Sequence, residues 1–184
     1  SISNSETTNK HYITKMNNNL VLDTFTKVNI ARINAYKQNF PLSKRMLEDT
    51  LEIYNNNKEL FIKEDKALIL QNFSQIFSFF NYRKEALDYG YKSLNAYEEN
   101  YEIESIKLLP ILSIINKTLI SQGLYEEAYK ILKRREKIIQ NLSIEACKAL
   151  NINSFARADF FLDRETNSIY LNEINTIPGF TASS

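Results

Sequence analysis

Asn81-Tyr82-Arg83-Lys84-Glu85-Ala86-Leu87 decides the fold of most of this chain. It places a short break directly before a helical start, and the chain contains two comparable segments. When the three are overlaid, Met46, Ala86 and Ala128 are equivalent and lie 40 and 42 residues apart. Small residues here would let paired helices approach closely. The overlaid segments are Ser43-Lys44-Arg45-Met46-Leu47, Arg83-Lys84-Glu85-Ala86-Leu87 and Tyr125-Glu126-Glu127-Ala128-Tyr129.

The apolar spacing between residues 20 and 150 is helical almost throughout. Apolar residues recur at intervals of three and four, which gives each helix one buried stripe. A period near 40 residues built from helix, turn and helix is typical of a stacked α-solenoid. The pattern therefore predicts a mainly α protein with a helix-turn-helix repeat array, and it resembles the tetratricopeptide class in its longer-repeat form. The stripes are Leu70, Phe73, Phe77 and Phe80, and Leu112, Ile115 and Leu119.

Pro110 interrupts a stretch, Ile103 to Gln122, that otherwise resembles a single helix. Proline removes one helical hydrogen bond and clashes with the carbonyl four residues before it. Either a helix begins near Leu109 with Pro110 in its first turn, or a longer helix kinks there. The first alternative is the simpler one.

The pattern changes after Leu150, where two apolar stretches, Phe155 to Leu162 and Ile169 to Asn175, predict a β-hairpin. Alternation places Arg157 and Asp159 on one face of the first strand, and Glu173 and Asn175 on one face of the second. If residues 164–168 form the loop, Asp159 lies opposite Glu173 and Arg157 opposite Asn175. Two carboxylates that close repel unless a cation lies between them, and their oxygens are the donors that Mg²⁺ prefers.

Three motifs in this region resemble the closing segment of D-alanine–D-alanine ligases, which have the ATP-grasp fold. They occur in the same order as in that family, and the helix Ile144 to Leu150 before them is also similar. The resemblance covers about a quarter of the chain, residues 141–184. The motifs are Ala156-Arg157-Ala158-Asp159-Phe160-Phe161-Leu162, Ile169-Tyr170-Leu171-Asn172-Glu173-Ile174-Asn175-Thr176 and Pro178-Gly179-Phe180-Thr181.

The resemblance implies a role for each matching residue. Asp159 and Glu173 would hold one Mg²⁺ ion, and Glu173 with Asn175 a second one, beside the phosphates of ATP. Arg157 would stabilise the transferring phosphoryl group, with help from the backbone N–H of Gly179. A sixth residue, Ser184, matches the position that contacts the carboxylate of the second D-alanine.

The same resemblance also implies two further lobes, which residues 1–140 do not supply. Only three glycines occur, so no glycine-rich phosphate loop is recognisable. We therefore expect three regions: a loose polar tail at 1–19, tetratricopeptide-like repeats at 20–140, and a partial ATP-grasp segment at 141–184. Whether a ligase reaction occurs in this chain is uncertain. A gene fusion, a truncated reading frame and an artificial joining all remain open.

Composition excludes several other classes of function. The net charge of +1 argues against a general nucleic-acid partner, and the longest apolar runs are too short to cross a bilayer. The single cysteine, Cys147, allows no internal disulfide and is expected to be buried among apolar neighbours. Together with the absence of a leader pattern, this predicts a cytoplasmic protein. The single histidine, His11, argues against a Ser–His–Asp or Cys–His catalytic arrangement.

Two functions follow. The first is a ligase-derived fragment that depends on ATP and Mg²⁺ and acts on D-alanine in peptidoglycan precursor synthesis, inactive by itself. The alternative is a noncatalytic regulatory module whose repeats bind a peptide or protein. Aromatic residues of the middle repeat either pack between helices or line a groove for such a ligand: Tyr82, Tyr89, Tyr91, Tyr97 and Tyr101.

Overall fold

The computed structural model describes residues 2–152, 155–163 and 169–176, with side chains from Thr14 onward. This part of the chain is mostly helical and ends in a two-stranded antiparallel hairpin. Short 3-10 turns precede the third and fifth helices, at Lys58–Leu60 and Ile106–Leu108. The elements are α1 Ile2–Tyr36, α2 Phe40–Asn56, α3 Lys63–Phe79, α4 Arg83–Glu98, α5 Leu109–Ser121, α6 Tyr125–Ala149, β1 Arg157–Leu162 and β2 Ile169–Asn175.

The chain divides into two compact units, residues 1–100 and residues 101–184. In the first unit, α1 packs against α2, α3 packs against α4, and α1 also contacts α3. The predicted stripe on α3 lies in this core at Leu70 and Phe73, while Phe77 and Phe80 are half-buried. The buried cluster consists of Val28, Ala31, Ala35, Leu47, Tyr54, Phe61, Ile69, Leu70, Phe73 and Ile76.

The same turn joins the two helices of every pair. Its first residue has a left-handed backbone, with φ of 62° at Gln38, 61° at Asn81 and 75° at Gly123. The next residue has φ near −83° in all three turns and donates its N–H to the carbonyl five residues earlier. This is the geometry in which a helix end satisfies its last carbonyls. The helix-turn-helix pairs predicted from sequence are therefore confirmed, with turns 43 and 42 residues apart.

One position of the sequence overlay was wrong. Counting from the turns, the residue equivalent to Ala86 and Ala128 is Ser43, and not Met46, which lies three residues later. All three equivalent residues are buried, whereas Met46 is only half-buried. Ser43 is small enough to lie between two helices. Its polar hydroxyl is the reason that the sequence pattern did not indicate a buried position there.

In the second unit, α5 packs against α6, and both contact the 3-10 turn before α5. Helix α5 begins at Leu109 with Pro110 in its first turn, so the first alternative for this proline is confirmed. The predicted stripe of Leu112, Ile115 and Leu119 is buried. Cys147 on α6 is half-buried instead of fully enclosed as expected.

Two boundaries differ from those expected from sequence. The segment predicted as a loose tail, residues 1–19, is helical from Ile2 as part of α1. Its side chains between Thr14 and Asn19 are largely exposed, so in this stretch the helical backbone forms without a buried apolar stripe. The division between compact units falls at 100/101, within the predicted repeat region. No helix in the described ranges is long and apolar enough to cross a membrane.

Candidate functional site

The two strands of the hairpin bring four of the predicted site residues together. Strand β1 pairs antiparallel with β2, with Arg157 opposite Asn175 and Asp159 opposite Glu173. This is the register predicted for these positions. Because directly opposed residues in an antiparallel pair have Cβ atoms about 5 Å apart, the two carboxylates are close neighbours. Gly179 and Ser184 lie outside the described residues.

A β-bulge interrupts the pairing next to these carboxylates. Asp159 pairs with Glu173 but Phe160 pairs with Leu171, which leaves Asn172 as an extra residue on β2. Ile169 and Leu171 occupy odd positions and Ile174 an even one, so a regular strand would place Ile174 on the face opposite to the other two. The extra residue brings all three onto one face. The apolar residues change from odd to even positions across Asn172, and this change is the signal in the sequence for the bulge.

The corrected pairing gives the hairpin two distinct faces. Among the described side chains, one face carries only apolar groups, and all of them keep some exposure to solvent. The other face carries the polar site residues together with Phe161 and Tyr170, which oppose each other. These two aromatic residues were not among the predicted site residues, although strand alternation places Phe161 beside Asp159. The apolar face consists of Ala158, Phe160, Ile169, Leu171 and Ile174.

Arg157 interacts with both carboxylates. Its Nε and Nη2 atoms each lie 3.2 Å from Oδ2 of Asp159, and Nη2 lies 3.8 Å from Oε1 of Glu173. The three side chains keep between 39% and 56% of their surface exposed. The guanidinium therefore occupies the place between the opposed acids in which a cation was expected from sequence. Solvent and ions reach all three groups.

The residues present fit a magnesium ion in chemical type. Within residues 2–152, 155–163 and 169–176, no group of three His, Cys, Asp or Glu side chains is gathered in one place. Mg²⁺ does not require such a cage, since it is commonly held by one or two carboxylates, with waters and substrate phosphates completing its shell. Asp159 and Glu173 supply two carboxylates, and the amide oxygen of Asn175 lies on the same face. The donor set matches a metal that binds together with a phosphate.

A second feature of chemical interest lies in the first unit. Aromatic rings form a continuous series of contacts, with neighbouring centroids 5.2–6.3 Å apart, from the buried Phe61 to the exposed Phe40. Burial raises the pKa of both the Tyr54 and the Tyr89 hydroxyl in the middle of the series. The order of rings is Phe61, Tyr54, Phe73, Tyr89, Phe77, Tyr82, Phe80 and Phe40.

The exposed end of this series opens into a surface pocket of about 560 Å³, next to the turns that join α1 to α2 and α3 to α4. That volume lies within the range of pockets that hold small ligands or single side chains. We name it the turn pocket, and it is lined by Phe40, Pro41, Lys44, Phe79, Phe80, Asn81 and Tyr82. Lys44 is its one charged wall residue and forms a long, exposed ion pair with Glu48 at 3.8 Å.

Comparison with known proteins finds a similarity in the C-terminal region. Residues 116–184 match the family described as D-ala D-ala ligase C-terminus. This match begins within α5 and includes α6 and the hairpin. It supports a ligase-like segment at the position where the site residues lie.

Two of the curated proteins that match part of this chain are D-alanine–D-alanine ligases of Prochlorococcus marinus. The protein of strain AS9601 is 60% identical over 48 residues, which is 26% of this chain and 14% of that relative. The protein of strain MIT 9312 is 54% identical over 55 residues, or 30% of this chain and 16% of the relative. The chain thus spans about a seventh of the length of these curated relatives. No solved structure matches.

Proposed function

We propose that the hairpin is the metal- and phosphate-binding element of a D-alanine–D-alanine ligase site of the ATP-grasp type. The observation that carries the proposal is the direct opposition of Asp159 and Glu173 with the Arg157 guanidinium against both. The family match over residues 116–184 supports it independently. Together they support a segment that stabilises negative charge during phosphoryl and acyl transfer. We also propose that the protein acts in the cytoplasm, as its composition predicts.

The proposed roles follow the resemblance residue by residue. Asp159 with Glu173 would hold one Mg²⁺ ion, and Glu173 with Asn175 would hold a second. Such ions would supply neutralisation of phosphate charge and polarisation of the transferring group. Arg157 contacts the phosphoryl oxygens as a planar donor of several N–H groups. Gly179 donates a backbone N–H to the developing oxyanion, and Ser184 contacts the carboxylate of the second D-alanine.

We further propose that this chain does not ligate D-alanine by itself. A two-stranded sheet is marginal without neighbouring strands, and the apolar face of the hairpin retains exposure. The relatives carry about six-sevenths of their length outside the matched region. ATP and the first D-alanine would be bound by residues that this chain does not provide.

The test separates metal binding from catalysis. Mn²⁺ serves as a paramagnetic substitute for Mg²⁺, and its free concentration is followed by electron paramagnetic resonance. We expect weak binding by the chain, with a dissociation constant of about 10⁻⁴–10⁻³ M, the weak end of the range for oxygen-ligand cation sites. The variant Asp159→Asn should lose binding, while Asp163→Asn, which removes a carboxylate just beyond β1, should retain it. Equal binding by Asp159→Asn and the unmodified chain would contradict the site.

Catalysis is tested with ATP, Mg²⁺ and D-alanine by measuring phosphate release. No release above the level of the Asp159→Asn variant is expected. Release that depends on Asp159 would overturn the proposal that this chain does not ligate D-alanine by itself, and would at the same time strengthen the assignment of the site.

A second function is favoured by a different observation. Three helix pairs with the same turn, 43 and 42 residues apart, and an aromatic pocket beside two of those turns are typical of a repeat surface that binds a partner. We propose that residues 20–140 form a tetratricopeptide-like array that binds a peptide with an apolar side chain beside an acidic one. Four aromatic rings would also suit a cation, but Lys44 in the wall disfavours one.

This second function is tested by panning random displayed peptides against the full chain, with counter-selection against the Phe40→Ala, Tyr82→Ala double variant. Peptides that carry an apolar residue beside an acidic one and bind the unmodified chain alone are the expected result. Enrichment of no peptide, or of peptides that bind both proteins equally, would contradict it.

A chain ending at residue 150 should keep its helical signal and thermal unfolding temperature if the repeats fold independently of the hairpin.

A further inference from the structure

Arg157 is the shared counter-ion of the two opposed carboxylates. Both close contacts to Asp159, through Nε and Nη2, fall on the same oxygen, Oδ2, and Nη2 also approaches Oε1 of Glu173. Two carboxylates on directly opposed positions repel each other, and the guanidinium offsets this repulsion. In this arrangement, the guanidinium of Arg157 forms ion pairs with both Asp159 and Glu173.

A divalent ion shared by the two carboxylates would lie in the space between them that the guanidinium occupies. One carboxylate oxygen cannot point its lone pairs fully at a guanidinium and at a metal in the same place, and two cations close together repel each other. Ion pairs as exposed as these are weak, so an arriving ion is able to displace the guanidinium at a modest cost. A metal ion bound here would therefore compete with Arg157 for the two carboxylates.

We propose that Arg157 couples metal binding to phosphate binding at this site, as an internal competitor that an arriving anion removes. The inference rests on the proposed metal site. A tetrahedral oxyanion offers Arg157 a bidentate partner, which draws the guanidinium from Asp159 and Glu173 and frees them for the metal. By reciprocity, the metal releases Arg157 for the anion. The site then binds a metal–phosphate pair better than either component alone.

The test measures Mn²⁺ affinity by electron paramagnetic resonance with sodium sulfate or with sodium chloride at equal ionic strength. Sulfate is the probe because it has the shape and charge of a phosphoryl group and pairs only weakly with Mn²⁺ in solution. For the unmodified chain, we expect sulfate to tighten Mn²⁺ binding by about twofold to fivefold, the range set by the weakness of exposed ion pairs.

The decisive variant is Arg157→Gln, which keeps a polar side chain and removes the charge. In chloride it should bind Mn²⁺ about twofold to fivefold more tightly than the unmodified chain, because the competitor is gone. Sulfate should no longer change its affinity. Lys148→Gln removes one positive charge from an exposed position on α6 and should behave like the unmodified chain. It controls for the change in net charge.

The outcomes separate the two proposals. If Arg157→Gln binds Mn²⁺ as the unmodified chain does and sulfate affects neither, the competition is overturned while the metal site stands. If Arg157→Gln binds more weakly, Arg157 supports metal binding instead of opposing it, and the inference is again overturned. If neither protein binds Mn²⁺, with or without sulfate, both the metal site and the competition are overturned.

Discussion

Ser43 on α2 donates its hydroxyl proton to the backbone carbonyl of Ala31 on α1, over 2.7 Å, and both residues are fully buried. The next helix pair reverses the roles. Ser74 on α3, equivalent to Ala31, donates over 2.7 Å to the carbonyl of Ala86 on α4, equivalent to Ser43. Each of these two pairs thus contains one serine and one alanine at equivalent buried positions, and the serine hydroxyl links the two helices.

This crossing predicts that Ser43 tolerates a loss of its hydroxyl better than a gain of volume. Ser43→Ala removes one buried hydrogen bond and should lower the free energy of unfolding by about 0.5–1.5 kcal/mol. Ser43→Val adds bulk between two helices and should lower it by about 1–3 kcal/mol. The measurement is urea unfolding followed by far-ultraviolet circular dichroism. Lys44→Ala, at the exposed neighbour, is the control, and a valine variant as stable as the alanine variant would contradict close packing here.

The repeated turn predicts opposite effects of gaining and losing a glycine at two equivalent positions. Gln38 has φ of 62° and Gly123 has φ of 75°, a conformation that costs any residue with a Cβ about 1 kcal/mol or more. Gln38→Gly should raise the free energy of unfolding by about 0.5–1 kcal/mol, and Gly123→Ala should lower it by about 1 kcal/mol. A Cβ at Gly123 would meet only the ring of Tyr125 at 4.0 Å, so the cost comes from the backbone.

Unfolding midpoints in urea check this pair of variants. Lys37→Gly is the matched control, because Lys37 lies one residue before Gln38 and lacks its positive φ. This control should not stabilise the fold. Stabilisation by both glycine variants would show that chain flexibility, and not the left-handed turn, is responsible.

These helix pairs show how far sequence reasoning reaches. The breaks before Phe40, Arg83 and Tyr125 were visible because proline, glycine and asparagine interrupt a strong helical period. The equivalence of Ser43 with Ala86 was not visible from the sequence. It depends on side-chain size where the two helices pack together, and a polar residue was not expected there. The tail at 1–19 was misjudged for a related reason: a helix continued from α1 requires no apolar stripe of its own.

The hairpin shows the same limit at the candidate site. The pairing of Asp159 with Glu173 was predictable from strand alternation and the length of the loop. The bulge at Asn172 was overlooked, so every pair between it and the turn was expected one residue out of place. The position of the Arg157 guanidinium was not predictable either, since alternation assigns a face but not the partner that a long side chain takes.

Glu104 predicts a pH dependence of stability in the second unit. Its carboxylate accepts hydrogen bonds from Lys137 and Asn141 on α6, and beside it the guanidinium of Arg134 donates to the carbonyl of Ile103. The hydrogen bond from Lys137 is the main reason that the pKa of Glu104 lies below its usual value. These contacts attach the segment before α5 to α6.

The sign of the effect follows from the lowered pKa. A carboxyl group whose pKa is lower in the folded than in the unfolded state stabilises the fold above its unfolded pKa, and this contribution disappears as the pH falls through the folded value. Glu104→Gln should therefore lower the urea midpoint at pH 7, and its difference from the unmodified chain should shrink steadily towards pH 3. Glu102→Gln, at an exposed position two residues earlier, is the control. A difference that is constant with pH would contradict a role for the charge.

The bulge predicts that Asn172 is dispensable for the pairing that forms the site. Deleting it leaves Leu171 directly before Glu173, so that a regular ladder keeps Phe160 opposite Leu171 and Asp159 opposite Glu173. Inserting alanine between Asp159 and Phe160 also offers a regular ladder, but it would turn Phe160 onto the polar face. The deletion should therefore retain the nuclear Overhauser contacts between β1 and β2 and the Mn²⁺ affinity, whereas the insertion should weaken both. If the deletion instead abolishes these contacts, the extra residue is needed for the twist of the hairpin, because bulges increase local twist as well as shift the register.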